Sequence, residues 1–504
     1  MNKKIIIALA AILIILCGVA FALTATSTNT QSNIDANALE DRGNIVVDSK
    51  SLDENNGYYH TDSGDTNTIL VKNGGVLKLA NSILNKTGDT QTSGDDADFY
   101  GVNSAILVNT NGTLDISNVE INTNSKGSNG IFVTNAESSS TGNSSQAGEN
   151  TSSGAGGQPP EATGGEGQGG DGGQPPEMPS GEGSGEGQGG GGQPGQSTVS
   201  GTTEATIKNV KITTHSDKSR GLDATYNGKI TADNVVINTD GQSCAALATD
   251  RGEGEVHVSN SEINTGVSKD SGRGSPLIYS TGNITAKNTK GTAYVSQIAC
   301  IEGKNSIELS NCDLTGYAEG NRKDGDNYVD LGGIFIYQSM SGDADVGTSL
   351  FTAENSKLSI ASDSSVYKEA PMFHVTNTAC VINLVNTELS FGSGTFLEIA
   401  GQNQWGTTGS NGGVAEVNTE NENIEGNVIV DSISSLNWTM TNTQFKGAIN
   451  STGNTTVNVA GGSTWTLTGD SSVSSLELTG EIDYGSFTLT VNGQKYDSSN
   501  PYKG

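Results

Sequence analysis

Apolar residues recur along this chain at alternate positions in short runs, and asparagine punctuates the runs in one repeated context. The asparagines are Asn81, Asn118, Asn209, Asn234, Asn260, Asn288, Asn311, Asn355 and Asn386. Four residues before each stand Leu77, Leu114, Ala205, Ile230, Val256, Ile284, Ile307, Phe351 and Ile382, and two before is again an apolar residue in every copy. The residue between them is mostly polar, as in Lys78, Asp115, Thr206 and His257, so each repeat predicts a strand with one face buried. After the asparagine the phase slips, with Glu120, Lys211 and Glu262 two residues on and Ile121, Ile212 and Ile263 three residues on. A second strand is predicted there, with the asparagine at a sharp bend. Its side chain is expected to turn inward, its amide bonding the equivalent amide one coil away.

Uninterrupted spacings between these asparagines are 25, 26, 28 and 23 residues, the length of one three-stranded coil. A third strand is read at 105–109, 130–134, 221–225, 245–249, 276–280, 298–302, 333–338 and 372–376. If Leu222 and Ala224 point inward, Leu107, Phe132, Leu247, Ile278 and Ile336 are candidates for an apolar stripe facing out. A single coil buries little, whereas stacked coils close a continuous core. The expected fold is all-β: a single-stranded right-handed parallel β-helix of about 13 coils, roughly 60 Å long at a strand spacing of ~4.8 Å. The asparagine ladder is expected to end at Asn386, with a distinct cap-like segment beyond it.

Interruptions of the repeat give the domain organisation. Residues 1–22 read as a signal peptide or N-terminal anchor, with Lys3 and Lys4 before an 18-residue apolar run that ends in Ala20, Phe21 and Ala22. Residues 23–42 are expected to be flexible, 43–136 to form the first part of the β-helix, 198–400 its main part and 401–504 the C-terminal coils and cap. Between them, 137–197 contains Gly-Gly-Gln-Pro-Pro-Glu twice, eight acidic residues and no basic, aromatic, valine, leucine or isoleucine residue. That composition predicts a disordered insertion. Shorter insertions at 85–103, 264–275, 315–332 and 359–370 share the corner leading into the third strand, which marks that edge as the working one.

Charge narrows the partners. With 26 basic and 56 acidic residues the net charge is -30, which repels nucleic acid and anionic lipid, so membrane contact is expected only through the N-terminal anchor. Cys244, Cys300, Cys312 and Cys380 lack metal-ligand spacing, so buried free thiols are expected and zinc is not. No cofactor is expected, with calcium left open because Asp95, Asp96, Asp98, Asp324 and Asp326 make the insertion loops acidic.

Candidate chemistry gathers on or beside the third strand at Arg220, Asp223, Asp250, Arg251, Arg273, Glu302, Lys304 and His374. If the chain is an enzyme, Asp223, Asp250, Arg251 and Arg273 are the catalytic set, since a lyase needs a base and acidic groups while a glycosidase needs paired carboxylates. As a binding surface, Arg220, Glu302, Lys304 and His374 combine with loop tyrosines Tyr317, Tyr328 and Tyr367, whose rings suit sugar faces. Phe99 and Tyr100 lie in the same insertions.

Five stretches carry a family resemblance: SRGLDAT at 219–225, AALATDRG at 245–252, QSMSG at 338–342, WGTTGSNGG at 405–413, and the Gly/Gln/Pro/Glu insertion. With them the chain resembles adhesin-like β-helix proteins of anaerobic gut bacteria and methanogenic archaea, which share a pectate-lyase-like solenoid. The stretch STWTLTGDSSVSSLEL at 463–478 is similar to the terminal cap of autotransporter passenger β-helices. The resemblance implies a cell-surface protein that binds other cells or a polysaccharide; with the export signal, the expectation is a secreted or cell-surface monomer that binds a polysaccharide or a cell-surface protein through its loop-rich edge. It transfers no catalytic residue. The alternative expectation is a polysaccharide lyase or glycoside hydrolase on the same solenoid.

Overall fold

The computed structural model describes residues 34–92, 94–136, 200–269, 274–320, 323–324, 327–339 and 341–503. The expectations for residues 1–22, the 137–197 insertion, Arg273 and Asp326 lie outside the described residues. The chain divides into two units, Met1–Ser138 with Ser197–Gly504, and Ser139–Gln196, so the division falls at the boundaries of the insertion. Every strand among the described residues belongs to the first unit.

The fold is a parallel β-helix. Strands before and after each asparagine stack into one 22-stranded sheet, and the third strands form a 13-stranded sheet running from Ile45–Asp48 to Ile449–Ser451. In the C-terminal part the second strands continue as a separate four-stranded sheet. Neighbouring coils pair in parallel register, as in Leu222 with Leu247 and Ile230 with Val256. The first strand, Glu40–Gly43, already pairs with Gly57–Thr61, inside the segment expected to be flexible. At the far end Leu489–Val491 turns back on Gln494–Tyr496 as an antiparallel pair. Such a hairpin covers an edge that would otherwise template another strand.

The alternation read from sequence holds on both flanks of the bend. Leu77, Leu114, Ile230, Val256, Ile284, Ile307 and Phe351 are fully buried before it, and Leu84, Ile121, Ile212, Ile237, Ile263, Leu314 and Leu358 after it. Each fully buried aliphatic side chain contributes roughly 1.5–3 kcal/mol relative to exposure. In the C-terminal half the core becomes aromatic. Phe351, Phe373, Phe396, Trp438, Phe445 and Trp465 follow one another with ring centroids 5.5, 5.7, 5.6, 4.7 and 5.9 Å apart.

The asparagines do not turn inward. All nine have φ between 49° and 55°, the left-handed region that asparagine tolerates better than other residues with a Cβ. Their side chains stand at the outer surface, exposed or half-buried. The residue that turns inward is the next one: Ser82, Val119, Val210, Val235, Ser261, Thr289, Cys312, Ser356 and Thr387 are all buried. One left-handed residue thus reverses the facing of the chain between two strands.

On the outside the amides bond along the axis. Asn118 donates to Asn81 at 3.2 Å, Asn209 to Asn118 at 3.2 Å and Asn234 to Asn209 at 2.7 Å. Asn260 instead bonds Asp233 at 2.6 Å, and Asn311 bonds its neighbour Ser310. The bend also outlasts Asn386, because Asn421 and Asn442 have φ of 56° and 47° and Asn442 donates to Asn421 at 2.6 Å.

Inside, the residue after the bend supplies a second axial bond. Ser82, Ser261 and Ser356 hydroxyls accept the amides of Gly57, Val235 and Cys312 in the preceding coil at 3.0, 3.1 and 3.1 Å. Buried amides need such partners. In one coil a carboxylate stands where serine would, and Glu422 Oε1 accepts from Thr387 N at 2.7 Å while Oε2 has no partner. Burial pushes this carboxyl up to about 7.

The described cysteines are free and buried. The proposed apolar stripe does not form. Register places Leu247, Ile278 and Ile336 in the core, while Leu107 and Phe132 face out but are covered.

Candidate functional site

Outward positions of the 13-stranded sheet build the floor of a groove. Register aligns Asp223, Ala248, Tyr279, Cys300, Phe335 and His374 in one column across successive strands. Side chains two apart on a strand share a face, so Tyr337 stands beside Phe335 on the Ile334–Tyr337 strand. Their rings stack at 4.6 Å, and Trp405, from the loop after the Thr395–Ile399 strand, lies 4.7 Å from Tyr337 at 53°.

The other end is closed by the helix Gly94–Tyr100, the element into which the first insertion folds. Its Asp98 and Phe99 line the groove, together with Arg220, Asp250, Asp330, Asp343 and the aromatic residues, around about 320 Å³ of space open to solvent. Gln242, Ser275 and Gln297, on the chain entering the strands, line one side, and Asp343 and Trp405, on the chain leaving them, the other. The groove therefore draws on both corners, not only on the corner that collects most insertions.

Arg220 organises its helix end. The buried guanidinium lies 2.7 Å from Asp98 Oδ1, 2.7 Å from Asp250 Oδ2 and 3.4 Å from Asp223 Oδ2. Lys218 reaches Asp98 at 2.5 Å. Burial raises Asp98, but the charges of Arg220 and Lys218 outweigh it and hold the carboxyl below its usual range. Asp223 is fully buried, and burial reinforced by the charge of Asp250 drives it well above the carboxylate range. Burial lifts Asp250 to about 6, with Arg220 opposing and Asp98 and Asp343 adding to the rise. Three carboxylates converge on one guanidinium here, and burial together with the charge of Asp250 favours the protonated form of Asp223.

Arg251 lies over the Phe99 ring at 3.8 Å and bonds Asp343 at 2.5 Å, tying the helix to the opposite loop. Glu302 is buried, accepting the Tyr279 hydroxyl at 2.8 Å and the Ser339 hydroxyl. His374 bridges the two corners. Its Nδ1 lies 2.8 Å from the Leu331 carbonyl and its Nε2 2.8 Å from the Gln402 amide nitrogen, so Nδ1 carries the proton and Nε2 accepts.

Of the sequence candidates, the structure brings together Arg220, Asp223, Asp250, Arg251, Glu302 and His374 at or just beneath the groove. Lys304 stands apart, paired with Glu253 at 2.6 Å and Asp345 at 3.1 Å. Tyr317 bonds Asp363 at 3.0 Å on the surface, Tyr328 lies beneath Lys323, and Tyr367 packs partly buried beside the core. None of the three lines the groove. Of the aromatic residues that do, Phe99 was named from sequence, whereas Tyr279, Phe335, Tyr337 and Trp405 were not singled out as binding candidates. Their signal was alternation within the third strand, whose register was unknown, and Trp405 opens a motif noted only for resemblance.

Among the described residues no group of three or more His, Cys, Asp or Glu side chains is arranged to hold a metal ion. No protein-family model and no curated protein matches the chain.

Proposed function

We propose that this protein is an exported, adhesin-like β-helix that binds a saccharide in the groove over its 13-stranded sheet. The convergence of Phe335, Tyr337 and Trp405 with the Asp250 carboxyl on one groove carries this reading. Flat aromatic faces take the apolar C–H faces of sugar rings, while carboxylates and amides accept and donate to hydroxyls. Export rests on the apolar N-terminal run and the A-x-A pattern of the sequence alone. The reading requires no cofactor, and the acidic balance of the chain disfavours nucleic acid as the partner. A glycan array probed with the secreted chain and with Trp405→Ala tests it. Selective binding lost in the variant supports the proposal, whereas no saccharide signal, or one indifferent to Trp405, sinks it.

One observation favours glycoside hydrolysis as a second reading. Asp250 faces the groove with its carboxyl pushed up to about 6, in the range where a general acid works near neutral pH. The lyase variant gains less support, because Arg220 and Arg251 are both engaged by carboxylates. New reducing ends from a polysaccharide panel, abolished by Asp250→Asn, would establish hydrolysis; unchanged release in the variant would remove Asp250 from the chemistry.

A further inference from the structure

The groove does not run the length of the solenoid. Its floor column continues past Asp223 to Phe132 and Leu107 in one direction and reaches His374 in the other, and both extensions are roofed. At the first end Gly101, the residue after the helix, packs so closely on Phe132 and Leu107 that an added Cβ would stand 2.5 and 2.9 Å from their side chains. Thr225 Oγ1 donates to the Phe99 carbonyl at 2.9 Å and Asn129 Nδ2 to the Ala97 carbonyl at 3.3 Å, which fixes the helix over these strands. At the second end the loop that carries Trp405 covers the Phe373–Thr376 strand. Gln402 meets His374 at 2.8 Å, the Asn377 amide donates to the Asn411 carbonyl at 3.0 Å, and Asn411 Nδ2 donates to the Trp405 carbonyl at 2.6 Å.

What stays open is short. Tyr279, Cys300 and Phe335 form its floor, with Asp250 toward the helix and Tyr337 toward the loop. These residues belong to four adjacent coils, three strand spacings or roughly 14 Å in all. The two remaining sides are walled by the chain entering and leaving the strands. The floor is also recessed, with Phe335 only 2%, Trp405 4% and Tyr337 7% exposed. A polymer lying along a surface touches exposed side chains, whereas these are reached only by a group that enters from above. An internal unit of a glycan chain has a neighbour on each side and needs two exits. A terminal unit needs one.

Resting on the saccharide reading above, we infer that the site is a blind basin that recognises the end of a glycan chain, taking in its last few units and not its interior. The space of about 320 Å³ lies at the small end of the range of ligand pockets, as a site for a few units requires.

Binding of the secreted chain to arrayed neutral gluco-, manno-, galacto- and xylo-oligosaccharides of two to six units, with the matching polysaccharides as soluble competitors, tests this. Affinity is expected to level off at about three units and to gain less than about threefold from three to six, because further units lie outside the walls and add no contact. Cleaving a competitor polysaccharide into about ten times as many chains at constant mass should make it about tenfold more potent, since ends rather than mass are bound. Affinity that keeps rising to six units, or competition that follows mass, overturns end recognition. If that binding is still lost in Trp405→Ala, with the fold of the variant verified by circular dichroism, the saccharide reading stands without it. If no oligosaccharide binds, end recognition and the saccharide reading fall together.

Discussion

Arg220 Nη1 donates to Asp98 Oδ1 at 2.7 Å across 122 residues of sequence, fastening the Gly94–Tyr100 helix to the strand that carries the groove floor. Asp98→Ala removes this bond and the one from Lys218 together. Breaking a buried ion pair leaves a desolvated charge behind, so a loss of about 2–3 kcal/mol is expected, tempered because Asp223 and Asp250 still hold the guanidinium. Urea unfolding measures the loss. Hydrogen exchange should show the helix amides opening first, and unchanged protection there would contradict the anchoring role.

The bend at Asn209 has φ of 55°, and its amide is bonded on both sides, to Asn118 and from Asn234. Asn209→Val places a β-branched residue in the left-handed region and should cost about 2 kcal/mol or more. Asn209→Gly loses the same amide bonds but relieves the backbone, so its cost should stay below about 1 kcal/mol. Denaturation midpoints of the two variants separate backbone from side chain. If valine and glycine cost the same, the amide bonds rather than φ dictate asparagine.

Glu422 makes stability depend on pH. Its folded value of about 7 exceeds the ordinary 4.5 because of burial, so the folded state binds the proton more tightly than the unfolded chain does. Its contribution is therefore full below about pH 4.5, declines as pH rises toward 7, and is flat above that. The span corresponds to roughly 3 kcal/mol. Glu422→Gln keeps an acceptor for the Thr387 amide without the charge. Relative to wild type it should gain stability as pH rises from 4.5 to 8, and parallel midpoint curves would refute the assignment.

Phe396 sits between Phe373 and Trp438 in the aromatic core. Phe396→Ala should cost about 3–5 kcal/mol through lost contact and a residual cavity. Because coils couple mainly to their neighbours, exchange should accelerate around Phe373–Thr376 and Asn427–Val430 while Ile106–Asn109 keeps its protection. A uniform loss along the chain would argue for global rather than nearest-neighbour cooperativity.

The parallel coils were legible because burial imposes period two on every strand, and Leu77, Ile116 and Ile212 sit where that period puts them. The facing of the asparagine was misread for a physical reason. Alternation assumes extended backbone, and a single residue with positive φ resets which side comes next. For the groove, Arg220, Asp223 and Asp250 were visible as charged residues on or beside the third strand. Trp405 and Asp343 were not, because they come from loops whose path over the sheet no periodicity encodes. Glu422 was hidden for another reason: only its neighbours along the axis reveal that it stands in a serine's place.

The bond from Asn209 to Asn118 spans 91 residues, whereas that from Asn234 to Asn209 spans 25, and the bend is the same at both ends. Closing the longer connection costs only about 1 kcal/mol more in chain entropy. Connection length at the corner between the Ile131–Thr134 strand and the Thr203–His215 strand of the next coil is therefore almost invisible to the solenoid. Sequence can be spliced in or trimmed there over evolutionary time without shifting a single strand of the register, which makes the corner a port where the protein can change what it carries while keeping what it is.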